Sequence, residues 1–138
     1  MTNKILPCVI GLGYVGLPVF VRLNKKFQTI GFDTNLRRVN LLKKKRDLNK
    51  EINNKNLKLL NSSRITSNIN EIKKSNFFII TVPTPLKKNN IPDLKYLEEA
   101  FKYIYKFLKQ NDIIIVESTV YPGATKQLAK KILEKNNN

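Results

Sequence analysis

Residues 9–18 read Val-Ile-Gly-Leu-Gly-Tyr-Val-Gly-Leu-Pro. Three glycines spaced Gly-x-Gly-x-x-Gly, after an apolar run and before a helical pattern, have a definite chemical use: they bring a pyrophosphate against bare backbone. Gly11 permits a tight turn, Gly13 leaves no side chain in front of the phosphates, and Gly16 lets helix and strand pack closely. Leu12, Tyr14 and Val15 complete the loop. Tyr14 is expected to contribute its backbone N–H, its ring packing over the loop. The helix that follows offers unpaired N–H groups and a positive dipole end to an anion. The competing reading is a glycine-rich turn without a ligand.

Asp33 strengthens the ligand reading. It closes the run Thr29-Ile30-Gly31-Phe32 twenty residues after Gly13, where a carboxylate accepts hydrogen bonds from adenosine ribose hydroxyls and repels a 2′-phosphate. That choice favours NAD over NADP. Asp33 can also cap a helix starting near Asn35. Arg38, further along that helix, can reach the ribose or stack on adenine, or it can be a solvated charge like Arg37. Thr84 stands between Pro83 and Pro85, which hold the backbone extended, so its hydroxyl suits a cofactor sugar or phosphate; the alternative is a rigid turn. Ser118 and Thr119 follow a fourth apolar run on the nicotinamide side, where hydroxyls can hold an ordered water. They can instead cap the last helix. Glu117 beside them can face the site or be only a surface acid, and Cys8 reads as a buried small hydrophobe rather than a nucleophile.

These residues must be positioned by strands and helices in alternation. The pattern predicts strands at 4–10, 28–33, 76–82 and 112–116, with a minor one at 64–66. Helices are predicted at 14–26, 35–46 and about 123–134, with short ones near 56–60 and 69–74. Between Asp47 and Asn56 the chain is Asn- and Lys-rich and reads as loop. Asp93 is expected to cap a further helix whose Leu94, Leu97, Phe101, Ile104, Tyr105 and Leu108 follow the i, i+3, i+4 rule. Asn136–Asn138 reads as a frayed tail. Alternating strands and helices imply a doubly wound parallel sheet, a Rossmann-type α/β domain occupying residues 1–138, with ligands beyond the carboxyl ends of its strands.

Composition narrows the function. Apolar residues make up 41% of the 138, enough for a real core. No apolar run approaches the ~20 residues that span a bilayer, and the first strand starts too early for a signal peptide. A single cysteine and no histidine leave neither an internal disulfide nor a zinc site, so the cytoplasm is the expected compartment. The net charge of +16 invites a nucleic-acid reading, but only five of the 26 basic residues are arginine and the lysines are scattered. A bias towards Lys, Asn and Ile explains the charge, and no specific nucleic-acid partner is expected. Oxidising an alcohol needs a base, and no histidine or singled-out lysine supplies one. The residues alone therefore describe a cofactor domain, either part of an oxidoreductase or a non-catalytic binding module.

Gly11–Pro18, Asp33, Val82–Pro85 and Glu117–Gly123 together resemble the UDP-glucose/GDP-mannose dehydrogenase family, with Pro92-Asp93-Leu94 adding to the wording. Their wording is closest to its UDP-N-acetylglucosamine/galactosamine 6-dehydrogenases of surface polysaccharide synthesis. The resemblance covers nearly the whole sequence and corresponds to the N-terminal NAD-binding domain. It implies NAD as cofactor and oxidation of a sugar C6 alcohol to a carboxylate. It further implies that Gly11, Gly13 and Gly16 hold the pyrophosphate, with Tyr14 and Val15 lining the loop. Asp33 and Arg38 would hold the adenosine ribose, Thr84 and Thr119 would contact the cofactor, and Thr119 would lie near the reacting carbon. The family's cysteine nucleophile, its helper residues, its dimer helix and its sugar-binding domain lie C-terminal to this sequence, and Cys8 does not match that cysteine. The expected substrate is thus a UDP-sugar, bound only together with a C-terminal half. The sheet edge left open predicts self-association.

Overall fold

The computed structural model of the protein describes residues 4–58, 60–61, 64–88 and 90–134; the expected tail Asn136–Asn138 lies outside them. Five strands form one all-parallel sheet: β1 (Pro7–Ile10), β2 (Ile30–Phe32), β3 (Ile65–Thr66), β4 (Phe77–Ile80) and β5 (Ile113–Val116). Their spatial order is β3-β2-β1-β4-β5. The chain starts in the middle, winds outward one way, then crosses back to wind the other way. The crossovers are α1 (Gly16–Leu23), α2 (Leu36–Lys43) with the short α3 (Asn54–Lys58), a 3-10 turn (Ile69–Lys74), and α4 (Lys95–Tyr105); α5 (Ala124–Glu134) follows β5. This is the doubly wound arrangement the alternation predicts.

Strand periodicity sorts the core into two layers. Cys8, Ile10, Phe78 and Ile80 face one side, where they meet Leu97, Phe101 and Ile104 of α4 and Leu128 and Ile132 of α5. Val9 and Ile79 face the other, against Leu17, Phe20 and Val21 of α1 and Val39 and Leu42 of α2. Both faces are covered, which is why these strands are continuous apolar runs rather than alternating ones. Burying each large side chain contributes about 1.5–3 kcal/mol.

Element ends differ from the sequence expectation for identifiable reasons. β1 starts at Pro7 rather than residue 4 because the Asn76 side chain replaces the ladder there: its Oδ1 accepts from Leu6 N–H at 2.8 Å and its Nδ2 donates to the Lys4 carbonyl at 3.0 Å. α1 closes at Leu23, whose carbonyl takes the N–H groups of both Lys26 and Phe27. α2 stops before Lys45, which has φ 56°, a left-handed conformation that ends a helix. Asp93 sits one residue outside the expected cap. Its carboxylate accepts from Lys95 N–H at 3.1 Å, while Leu94 holds the cap position without a side-chain bond.

Candidate cofactor site

The carboxyl ends of β1, β2, β4 and β5 open onto a cleft of about 520 Å³. Gly11, Gly13, Tyr14 and Val15 form one wall, Asp33, Thr34 and Asn35 the second, and Thr81–Thr84 with Glu117–Thr119 the third. Tyr96, Glu99 and Tyr103 of α4 complete it.

The glycine loop is built by steric demand. Gly11 has φ +92°, a conformation that favours glycine. A Cβ on Gly16 would lie 1.7 Å from the Gly11 carbonyl oxygen and 2.4 Å from Thr81 Oγ1, so only glycine lets α1 approach this closely. A Cβ on Gly13 would meet nothing within 4 Å; its face is open to the cleft. The backbone N–H groups of Gly13, Tyr14, Val15 and Gly16 find no acceptor among the described residues. Four unpaired donors beside an open glycine, at the start of a helix, make an anion cradle. Tyr14 is 84% exposed. It stands out into solvent at the edge of the cleft instead of packing over the loop.

Asp33 keeps the loop in place and supports the start of α2 without being its cap. Oδ1 accepts from Asn35 N–H at 2.8 Å, at the start of α2, and Oδ2 accepts from Leu12 N–H at 2.7 Å. Asn35 is the actual N-cap of α2, its side chain accepting from Arg38 N–H. The carboxylate still borders the cleft, with lone pairs left for ribose hydroxyls.

Arg38 departs from both sequence expectations: it neither borders the cleft nor lies in solvent. Its Nε donates to the Leu12 carbonyl at 2.9 Å, Nη1 pairs with Asp47 at 2.8 Å, and Nη2 pairs with Glu51. The Arg38, Asp47 and Glu51 side chains are 11%, 1% and 5% exposed. Burial pushes the Asp47 carboxyl upward. The Arg38 hydrogen bond and the N–H groups of Ile52 and Glu51 outweigh this and hold it below the usual carboxylate value. The Asn- and Lys-rich stretch expected to be loop is thus pinned against the glycine loop.

Thr84 and Ser118 tie the ends of β4 and β5 together. Thr84 Oγ1 donates to the Thr119 carbonyl and Ser118 Oγ to the Val82 carbonyl, each at 2.6 Å. Of the sequence-selected residues, Gly11, Gly13, Tyr14, Val15, Asp33, Pro83, Thr84, Ser118 and Thr119 converge on the cleft. Leu12 and Gly16 lie buried beneath it. Sequence reasoning missed Thr81, Tyr96, Glu99 and Tyr103. Cys8 is fully buried in β1, and burial pushes its thiol far above the ordinary range, so it is no nucleophile.

Comparison with known proteins decides between an empty turn and a cofactor site. The signature of the NAD-binding domain of the UDP-glucose/GDP-mannose dehydrogenases matches residues 5–138. The chain belongs to this family. It is similar to UDP-N-acetyl-D-glucosamine 6-dehydrogenase of Pseudomonas aeruginosa, with 45% identity over 127 residues, 92% of this chain and 30% of that protein. Its identity to the Salmonella typhi enzyme of the same name is 43%, over 95% of this chain and 31% of that one. The solved UDP-D-ManNAc dehydrogenase of Pyrococcus horikoshii superposes with a TM-score of 0.86 at 29% identity, over 97% of this chain and 33% of that chain. The chain thus spans about 30% of the length of these relatives and is the NAD-binding portion of a nucleotide-sugar dehydrogenase fold. The open face of Gly13, the unpaired N–H groups and Asp33 fit that cofactor's pyrophosphate and ribose.

Proposed function

We propose that this chain holds NAD for a UDP-N-acetylhexosamine 6-dehydrogenase of polysaccharide synthesis, working in the cytoplasm. The carrying observation is the Gly13–Gly16 cradle of unpaired N–H groups with the Asp33 carboxylate bordering the same cleft. The cradle binds the pyrophosphate, and Asp33 orients the adenosine ribose while disfavouring a 2′-phosphate. Thr84, Ser118 and Thr119 form the wall on the nicotinamide side, with Thr119 the residue of this chain nearest the reacting carbon. When bound, NAD supplies the hydride acceptor.

Turnover requires groups from outside this chain: its only thiol is buried and it contains no histidine. The UDP-sugar is bound by a C-terminal half, in accord with the share of the relatives that the chain spans. No helix among the described residues is long and apolar enough to cross a membrane.

The test is a thermal-shift titration with NAD and NADP at low and high salt. At 100 times Kd, a ligand specific for the native state adds about 2.7 kcal/mol of stability. A salt-tolerant rise with NAD and little with NADP is expected. No shift with either, in a folded sample, refutes the reading.

A further inference from the structure

The glycine loop is steered by a residue that the motif does not contain. Thr81 follows β4, is 8% exposed and reaches across to β1. Its N–H donates to the Ile10 carbonyl at 2.9 Å, continuing the ladder by one bond. Its hydroxyl lies 2.7 Å from the Gly11 carbonyl oxygen and 3.0 Å from that of Ile10. One hydroxyl hydrogen serves the nearer acceptor best. At the other end of the same Gly11–Leu12 peptide, the Leu12 N–H donates to Asp33 Oδ2 at 2.7 Å. One peptide unit is therefore gripped at both poles, its oxygen by a donor from β4 and its N–H by an acceptor from the end of β2.

This grip has a consequence for an anion. Glycine tolerates other backbone angles than the left-handed one seen at Gly11, so without this grip the Gly11–Leu12 peptide could turn and swing its carbonyl oxygen among the donors of the loop. An oxygen there repels phosphate and turns the following donors away. The Thr81 hydroxyl draws the oxygen inward, onto the face where Gly16 lacks a Cβ. The unpaired N–H groups of Gly13, Tyr14 and Val15 then stand beside the cleft without a competing Gly11 oxygen.

We propose that Thr81 is a positioning residue for cofactor binding: its hydroxyl fixes the Gly11–Leu12 peptide so that the loop accepts the pyrophosphate of a dinucleotide. This rests on the NAD-binding reading above and adds a residue to it. The grip acts through Gly11, so it governs the phosphate part of the ligand and leaves the adenosine end, held by Asp33, little changed.

The experiment compares wild type, Thr81→Val and Thr81→Ser by calorimetric titration with NAD, ADP-ribose and adenosine, with a thermal melt of each protein. Thr81→Val keeps the shape and removes the donor. It is expected to weaken NAD and ADP-ribose about tenfold or more, in line with an unsatisfied buried carbonyl, and adenosine less than twofold. Thr81→Ser restores the donor and is expected to bind all three within about threefold of wild type, since the new hydroxyl makes the same bond. If Thr81→Val does not fold, Thr81→Ala against Thr81→Ser makes the same comparison. Unchanged NAD affinity in a folded variant lacking the hydroxyl overturns the proposal alone. Equal weakening of adenosine and NAD also overturns it, because that is general loosening. A folded wild type that binds none of the three overturns the NAD reading and this one together.

Discussion

Gly13 and Gly16, three residues apart in the same loop, should respond in opposite ways to the same methyl group. At Gly16 the new Cβ falls 1.7 Å from the Gly11 oxygen and 2.4 Å from Thr81 Oγ1. The first obstacle is backbone, so α1 or the loop must move by more than an ångström. Overpacking of this kind costs about 1–3 kcal/mol or more, against a gain in helix propensity of at most ~1 kcal/mol. The clash wins. Gly16→Ala should lower the melting temperature, by ~3–6 °C per kcal/mol for a chain of this size. At Gly13 the Cβ meets nothing, and φ is not in the left-handed region. Restricting the unfolded chain then stabilises by about 0.4–1 kcal/mol. The same methyl enters the space where the pyrophosphate comes against backbone, so Gly13→Ala should lose the ~2.7 kcal/mol stabilisation that NAD gives wild type at 100 times Kd. The assay is one set of melts, each protein with and without NAD. A Gly13→Ala protein that responds to NAD like wild type would show that the phosphates do not lie against Gly13, and a Gly16→Ala protein of undiminished stability would refute the packing argument.

Arg38→Ala leaves the Asp47 and Glu51 carboxylates buried without their cation and the Leu12 carbonyl without its donor. Breaking such a pair costs about 3–5 kcal/mol, to be read from urea unfolding; a change under ~1 kcal/mol, the size of a solvated surface pair, would contradict the buried-cluster description. Asp47 gives the cluster a pH signature. Its folded carboxyl sits below the unfolded value of 3.8, so its contribution is complete above that pH and is lost as pH falls through the lower folded value. The stability gap between wild type and Asp47→Asn should therefore be constant near neutrality and narrow below about pH 4. At the open edge of the sheet, β5 is wholly apolar and Ile113 is 51% exposed. We expect concentration-dependent self-association by light scattering, reduced by Ile113→Lys, since a charge on an edge strand opposes pairing.

The fold and two walls of the site were legible because both are written in local patterns. Apolar runs gave the strands, the spacing of Gly11, Gly13 and Gly16 gave the turn, and Asp33 stood at a fixed distance beyond them. The ion pairs of Arg38 were not legible because its partners, Asp47 and Glu51, lie 9 and 13 residues on in a stretch without periodicity. Nothing local distinguishes those acids from solvated ones. Thr81 was overlooked because a threonine closing an apolar run looks like one more strand residue; its meaning comes from the parallel pairing of β4 with β1. Tyr96, Glu99 and Tyr103 lie on the less apolar face of α4, and only the crossover from β4 to β5 carries that face over the cleft. Thr84 and Ser118 were selected for their hydroxyls, yet their bonds join two loops 35 and 36 residues apart. Pairings of that range are set by topology.

The burial of Cys8 gives the chain a built-in clock. Its sulfur is wholly enclosed in the central strand, and it is the sole thiol in the sequence. A maleimide or disulfide reagent therefore has no local route to it, and labelling has to wait for β1 to leave the sheet. The rate at which label accumulates then measures whole-domain opening rather than fraying, with no engineered probe. Any ligand that binds the closed sheet will slow that clock by the factor by which it shifts the folding equilibrium.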